Sequence, residues 1–278
     1  MCTTCGCGED HVHSHAPGHS AAHGHGHDHS HSHDHGDDHD HGGLAQRAAG
    51  AAAGTTIELG VDLLAKNQRL AERNRGWLAG RNIAAINLMS SPGSGKTTLL
   101  ERTIRAVGHE LGIHVVEGDQ ATLNDAERIE ATGCKVVQIN TGTGCHLEAD
   151  MFARGLKDLR PAAGSVVMIE NVGNLVCPAL FDLGEQAKVV MLAVTDGDDK
   201  PLKYPHMFRA SQVMIINKID LLPYVRFDID RCIANAREVN PSVQILRLSA
   251  ETGEGMDDWY DWLRRAAASA REPELQAL

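Results

Sequence analysis

Nine consecutive residues, Ser90-Ser91-Pro92-Gly93-Ser94-Gly95-Lys96-Thr97-Thr98, carry the most specific chemistry in the chain. They follow an apolar run, Ile83–Met89, and precede an amphipathic stretch, Leu99–Leu111, which is the strand, loop and helix setting of a phosphate-binding loop. Gly93 and Gly95 let the backbone turn its N–H groups inward toward phosphate oxygens, and the helix start adds the positive end of its dipole. Lys96 would neutralise charge on the β- and γ-phosphates and Thr97 would ligate Mg2+, with Ser94 and Thr98 completing the nucleotide-contacting set. Ser90 stands where the usual pattern begins with Gly. That first Gly is a backbone convenience and not a phosphate ligand, so the departure leaves the chemistry intact.

A second group of residues addresses which nucleotide is bound. Asn217-Lys218-Ile219-Asp220 ends the apolar run Val213–Ile216 and resembles the guanine-specificity motif of GTPases. A carboxylate at Asp220 can accept two hydrogen bonds from guanine N1 and N2, a donor pair that adenine lacks. Ser249 and Ala250, after one further strand candidate, resemble the loop that offers backbone N–H groups to the base edge. Asp119 and Glu170 each close a strand candidate and are placed to reach Mg2+ or the γ-phosphate, and Glu170-Asn171-Val172-Gly173 occupies the slot of a second switch. Asp125 is an alternative acid, equally readable as a helix N-terminal charge. Lys96, Asp119 and Glu170 are therefore the expected catalytic set. No arginine finger is identifiable, so slow intrinsic turnover of GTP to GDP is expected.

Soft metal ligands form a third group. Cys145-His146 and Cys177-Pro178 lie just beyond strand candidates, which puts them on the sheet edge that also carries the nucleotide loops. Two thiolates and an imidazole are one ligand short of tetrahedral zinc, yet suffice for nickel with a further donor or for a site completed across a two-fold interface. Cys134 and Cys232 read as small buried hydrophobes. At the terminus, Cys2-Thr3-Thr4-Cys5-Gly6-Cys7 sets three thiols within six residues, suited to a thiophilic ion; a redox pair would need a folded helix start, and none is expected there. The tract from Asp10 to His41 alternates His with Gly, Ser and Asp and reads as a buffer of weak sites for nickel, copper or zinc.

These groups need a scaffold. Seven apolar runs, Ile83–Met89, Val115–Val116, Val136–Ile139, Val166–Ile169, Val189–Val194, Val213–Ile216 and Val243–Leu248, alternate with helical segments. Near-continuous Val/Ile/Leu runs suit strands buried on both faces, so a doubly wound, mostly parallel α/β domain is expected. Apolar positions from Leu59 to Leu78 have helical spacing and predict a helix ahead of the first strand. Residues 1–43 hold thirteen of the seventeen histidines and seven acidic residues with no Lys or Arg, too little apolar surface to fold, so a disordered metal-binding tail is expected. Residues 44–54 read as a linker and 55–278 as the P-loop GTPase domain. The net charge is −11, and removing the tail leaves 30 acidic against 26 basic side chains. Neither part shows the clustered Lys/Arg that nucleic acid or an anionic membrane requires, and no apolar run approaches the ~20 residues of a membrane span. Seven scattered cysteines without an export signal predict a reducing, cytoplasmic setting.

Together these stretches resemble the HypB family, the nickel-insertion GTPases of NiFe-hydrogenase maturation in the SIMIBI class. The resemblance runs from about Thr56 to Leu263 and is most specific at Asn67–Arg75, Ser91–Thr98, Glu170–Pro178 and Asn217–Asp220, while Cys2–Cys7 is similar to a high-affinity nickel motif that some members carry. It implies Cys145, His146 and Cys177 as metal ligands near the interface of a GTP-dependent homodimer. A HypA-like accessory protein and the hydrogenase large subunit would be the partners. The urease accessory GTPase UreG shares a His-rich start, but its metal motif is Cys-Pro-His, whereas here Cys145 directly precedes His146. A nickel or zinc storage protein with weak GTPase activity is the remaining alternative, against which the complete nucleotide motifs count.

Overall fold

The computed structural model describes residues 62–119 and 124–272. Seven strands form one sheet: β1 (Ala84–Ser90), β2 (Ile113–Asp119), β3 (Lys135–Asn140), β4 (Val166–Glu170), β5 (Ala187–Ala193), β6 (Val213–Asn217) and β7 (Gln244–Arg247). Every adjacent pair is parallel and the order is β3-β2-β4-β1-β5-β6-β7. All seven expected strands are present, and the sheet is wholly parallel among the described residues. The central strands are buried on both faces, which is why their sequence reads as an apolar run and not as an alternation.

Helices cover both faces. Ala84, Ile86 and Leu88 of β1 point to the side packed by α2 (Lys96–Leu111) and α9 (Met256–Arg271). Ala85 points to the opposite side, where α4 (Ala149–Leu159) contributes Phe152, Leu156 and Leu159. In α2 the buried Leu99, Leu100, Ile104, Val107 and Leu111 keep the three-to-four spacing of one helix face, and Gly112, at φ 62°, ends the helix in the left-handed conformation. Beside them Trp259 of α9 is fully buried and donates its indole N–H to Thr103 Oγ1 (2.9 Å). On the β5–β6 side, α7 (Pro205–Ala210) and α8 (Ile229–Val239) supply Met207, Phe208, Cys232 and Ala236. Short helices α3 (Asn124–Glu130), α5 (Cys177–Leu180) and α6 (Lys200–Lys203) complete the set.

The helix ahead of β1, α1, spans residues 62–79 among those described. Its buried face differs from the expected apolar stripe. Asn67, Ala71, Asn74 and Leu78 face inward, while Leu63, Leu64 and Trp77 are exposed. Two asparagines sit inside because they bond backbone elsewhere: Asn67 accepts from Ala149 N (2.8 Å) and donates to Asp182 O (2.7 Å), and Asn74 donates to Ala149 O (2.8 Å) and Leu183 O (3.0 Å). Thus α1 holds the start of α4 to the segment after α5. No helix among the described residues is long and apolar enough to cross a membrane. Cys2, Cys5, Cys7, the His tract and the 44–54 linker lie outside the described residues.

Candidate nucleotide and metal sites

All seven strands deliver their carboxyl ends to one edge, and the loop after the central β1 lies in the middle of it. Gly93 and Gly95 adopt φ of 73° and 96°, a backbone that side chains resist, and a Cβ on Gly95 would also stand 2.7 Å from Asn217 Nδ2. Ser90, the unusual first position, has no positive φ; its hydroxyl accepts from Lys96 Nζ (2.9 Å). Thr97 Oγ1 donates to Glu170 Oε1 at the end of β4 (2.7 Å). The Lys96 ammonium is pushed down by burial and supported by the neighbouring Glu170 charge.

The expected guanine-side residues converge on this loop. Asn217 Nδ2 donates to Ser94 O (2.8 Å) and its Oδ1 accepts from Ala250 N (3.0 Å), while Lys218, in the left-handed region at φ 62°, extends its ammonium to Gly93 O (2.7 Å). The Ala250 N–H is therefore engaged by Asn217, which makes that side chain a brace between the phosphate loop and the 249–250 loop. Ser249 Oγ accepts from Thr252 N (3.1 Å), shaping the turn. Arg102 of α2 donates to the carbonyls of Ala250 and Glu251, and a cavity of about 500 Å³ opens between these and Thr98. Thr98 accepts from Arg128 (3.3 Å), whose guanidinium also pairs with Glu101 (2.7 Å). Asp125 faces Arg128 in α3.

Two features escaped the sequence reading. Asp196, in the turn after β5, accepts from Ser91 Oγ (2.9 Å) and Ser94 Oγ (3.2 Å), tying the phosphate loop to a third strand end. Its only sequence signal is the acidic turn Asp196-Gly197-Asp198-Asp199. Glu117, two residues before Asp119, stands in register with Glu170 across β2 and β4. Both are nearly inaccessible, at 2 % and 4 % exposure. Burial, with Glu170 and Asp119 nearby, pushes the Glu117 carboxyl up to about 8, and burial pushes Glu170 up to about 7. Between the ordinary carboxylate range and pH 8 the folded chain thus holds protons that the unfolded chain has released, so stability falls as pH rises through that window. Glu117→Gln is expected to be more stable than wild type at pH 8, on the order of 2 kcal/mol, with the advantage fading toward pH 5. Thermal melts of the nucleotide-free chain at the two pH values test this; equal differences at both would refute it.

The metal ligand candidates also converge. Cys145 lies in the loop between β3 and α4, and Cys177 is the first residue of α5. Their sulfurs are 2.9 Å apart, Cys145 Sγ is 3.6 Å from His146 Nδ1, and one ligand atom from each of the three residues lies within 4.8 Å of the others. Among the described residues this is the only group of three or more His, Cys, Asp or Glu with such spacing. The His146 ring packs on Phe181 with centroids 3.9 Å apart, and burial pushes its pKa down, favouring the neutral imidazole that can ligate a metal. Cys134 and Cys232 are buried, with thiols pushed up to about 11 and about 12 by burial, as inert core cysteines should be.

Four buried side-chain oxygen or nitrogen atoms among the described residues lack a hydrogen-bond partner: Glu117 Oε2, Glu170 Oε2, Asp220 Oδ1 and His146 Nε2. Glu148 Oε1 is 3.9 Å from the last, too far for a hydrogen bond. Buried polar groups are satisfied almost everywhere in proteins, so each orphan calls for a partner such as an ion, a ligand or a water. All four fall at the nucleotide edge or the Cys/His cluster.

Residues 84–247 match the family model described as CobW/HypB/UreG, nucleotide-binding domain. The hydrogenase maturation factor HypB of Escherichia coli (strain K12) is 49 % identical over 95 % of this chain and 98 % of its own length. The chain belongs to the HypB family. Among solved HypB structures, that from Archaeoglobus fulgidus superposes with a TM-score of 0.69 at 42 % identity, covering 73 % of this chain and 99 % of that one. HypB from Helicobacter pylori, solved in complex with nickel, gives a TM-score of 0.69 at 34 % identity, covering 76 % of this chain and all of that one. Membership makes this chain a hydrogenase maturation factor built on a P-loop GTPase fold. The match to the nucleotide-binding domain model starts at β1, and the alignment with the Escherichia coli HypB extends over 95 % of this chain.

Proposed function

We propose that this chain is a GTP-hydrolysing metallochaperone that accepts nickel at Cys145, His146 and Cys177 and passes it on toward the active site of NiFe-hydrogenase. The observation that carries the reading is the placement of the four orphaned buried atoms, two carboxylates beside the phosphate loop, one at the base side and one imidazole nitrogen in the Cys/His cluster. A magnesium–nucleotide would complete the Glu170 and Asp220 oxygens, and a soft metal with Glu148 nearby would engage the His146 ring.

In this reading Gly93, Ser94, Gly95, Lys96, Thr97 and Thr98 cradle the phosphates, and Asn217, Lys218, Asp220, Ser249 and Ala250 build the guanine side. The donor set fits Mg2+: Thr97 and Glu170 would hold it, with Asp119 on the neighbouring strand end, and the ion when bound supplies charge neutralisation across the β- and γ-phosphates. Lys96 adds positive charge where negative charge gathers on the γ-phosphoryl oxygens as water bonds to the γ-phosphorus and GDP leaves. The sequence names no arginine finger, so turnover should be slow. Removing the Asp220 carboxylate with Asp220→Ala should cut the preference for GTP over ATP by about 100-fold, because guanine N1 and N2 then lose their acceptor. Competition binding of the two nucleotides reads this, and an unchanged preference would exclude Asp220 from base recognition.

Nickel is cargo here, and zinc competes for the same soft donors. Residues 1–43, with Cys2, Cys5 and Cys7, would store the ion, 44–54 would link, and 55–278 would transfer. A GTP-dependent homodimer, a HypA-like accessory protein and the hydrogenase large subunit complete the delivery route in the cytoplasm. The decisive experiment is nickel affinity measured with GDP and with a non-hydrolysable GTP analogue. The reading expects a difference of at least about fivefold, and equal affinities would overturn nucleotide-timed delivery.

A further inference from the structure

Between the two sites lies one buried side chain with hydrogen bonds toward both. Asn171 is 1 % exposed and immediately follows Glu170. Its backbone N–H bonds Leu88 O of β1 (3.1 Å), the strand that runs into the phosphate loop. Its Oδ1 accepts from Val172 N (3.0 Å) on its own segment and from Leu147 N (3.2 Å), the residue directly after His146. Its Nδ2 donates to Asn87 Oδ1 (3.2 Å), Asn87 donates to Glu185 Oε1 (3.0 Å), and Glu185 Oε2 accepts from Leu183 N (2.6 Å) beyond α5. Hence one amide ties the strand carrying Glu170 to the loop before α4, and through Asn87 and Glu185 to the segment after Cys177.

The segment that Asn171 opens, residues 171–173, touches the phosphate loop. A Cβ on Gly173 would sit 3.1 Å from Pro92 backbone atoms, so residues 171–173 and the loop are already in contact and cannot shift independently. Two short levers therefore share one pivot. Beside the packing of the Leu147 side chain over Gly118, the buried Asn171 amide gives a change at Pro92 or Glu170 a hydrogen-bonded route to Leu147, with no other side chain among the described residues bonding the 147 N–H.

We infer that Asn171 is a positioning residue that couples the nucleotide state at the end of β4 to the geometry of the Cys145-His146 loop. It binds neither nucleotide nor metal; it fixes where Leu147, and with it His146, stands relative to Glu170. The inference rests on the proposed nucleotide dependence of metal binding, and it names the residue that carries that dependence.

The test uses the full chain with Cys2, Cys5 and Cys7 replaced by serine, so that thiolate-to-nickel charge-transfer absorption reports only the folded-domain thiolates. Ni2+ is titrated with GDP and with a non-hydrolysable GTP analogue, and the ratio of the two affinities is the readout. With the parent ratio at fivefold or more, Asn171→Ala should bring it within twofold of unity while GDP affinity stays within about threefold. Asn171→Asp keeps the acceptor for both N–H groups and should hold the parent ratio within twofold. An Asn171→Ala protein with the parent ratio overturns the inference and leaves nucleotide coupling standing. A parent ratio of one overturns the coupling and the inference with it. Should Asn171→Ala fail to fold, Asn171→Asp decides, and a collapsed ratio in that variant refutes the role given to the acceptor.

Discussion

Lys96→Ala is expected to lower GTP turnover by at least about 100-fold and to weaken nucleotide binding. In the folded chain the Lys96 ammonium is buried, bonded to Ser90 Oγ, and flanked by Glu170, Glu117 and Asp119. Removing the cation does more than delete a phosphate contact. It leaves an acidic cluster without its nearest positive charge, in a place where the nucleotide brings several more negative charges. Single-turnover phosphate release, wild type against variant, is the measurement, and comparable rates would remove the phosphate loop from catalysis. Because Glu170 loses the same charge, the variant should also bind protons at Glu170 up to a higher pH than wild type, a change visible in the pH dependence of nucleotide affinity.

The second large effect belongs to the metal. Cys177→Ser should cost at least about 100-fold in nickel affinity of the folded domain, while turnover of the metal-free protein changes by less than about threefold. Cys177 is the more informative of the two thiols because it is 2 % exposed and opens α5, where serine keeps the side-chain shape and is only slightly smaller. Its partner sulfur and His146 stay in place, so what is lost is one soft donor of three. Both thiols must give up protons to ligate, so affinity in wild type should rise between pH 6 and pH 8, and less steeply in the variant. Isothermal titration in two buffers of different ionisation enthalpy counts the released protons. Wild-type affinity in Cys177→Ser would show that the cluster does not hold nickel.

Most of the scaffold was legible from residue types alone. Each of the seven apolar runs became a parallel strand, because burial on both faces leaves only aliphatic side chains and that pattern survives in a single sequence. The phosphate loop and Asn217–Asp220 were equally clear, since each needs specific atoms at fixed spacing. What stayed hidden was polar residues whose partners are distant in sequence. Asn67 and Asn74 broke the apolar stripe expected for α1, and nothing local announces that they bond Ala149, Asp182 and Leu183. Asp196 takes its role from Ser91 and Ser94, more than 100 positions away, and Glu117 from its register with Glu170, so neither carries a local signal. Asn171 was read only as part of a switch segment. Hydrogen bonds between residues 24 to 84 positions apart gave it a structural role that no periodicity encodes.

The brace on the phosphate loop has a consequence for how the protein is made. Ser94 O is held by Asn217 and Gly93 O by Lys218, residues 123 and 125 positions later, and Asn217 is itself fixed by Ala250. A ribosome emits the phosphate loop early and its supports late, and contacts of such sequence separation form only after the intervening chain has collapsed. During synthesis the loop is therefore present long before it is shaped. A chain that ends before β6 and the 249–250 loop would lack the braces that hold Ser94 O and Gly93 O, so its phosphate loop would lack the shape it has in the finished fold.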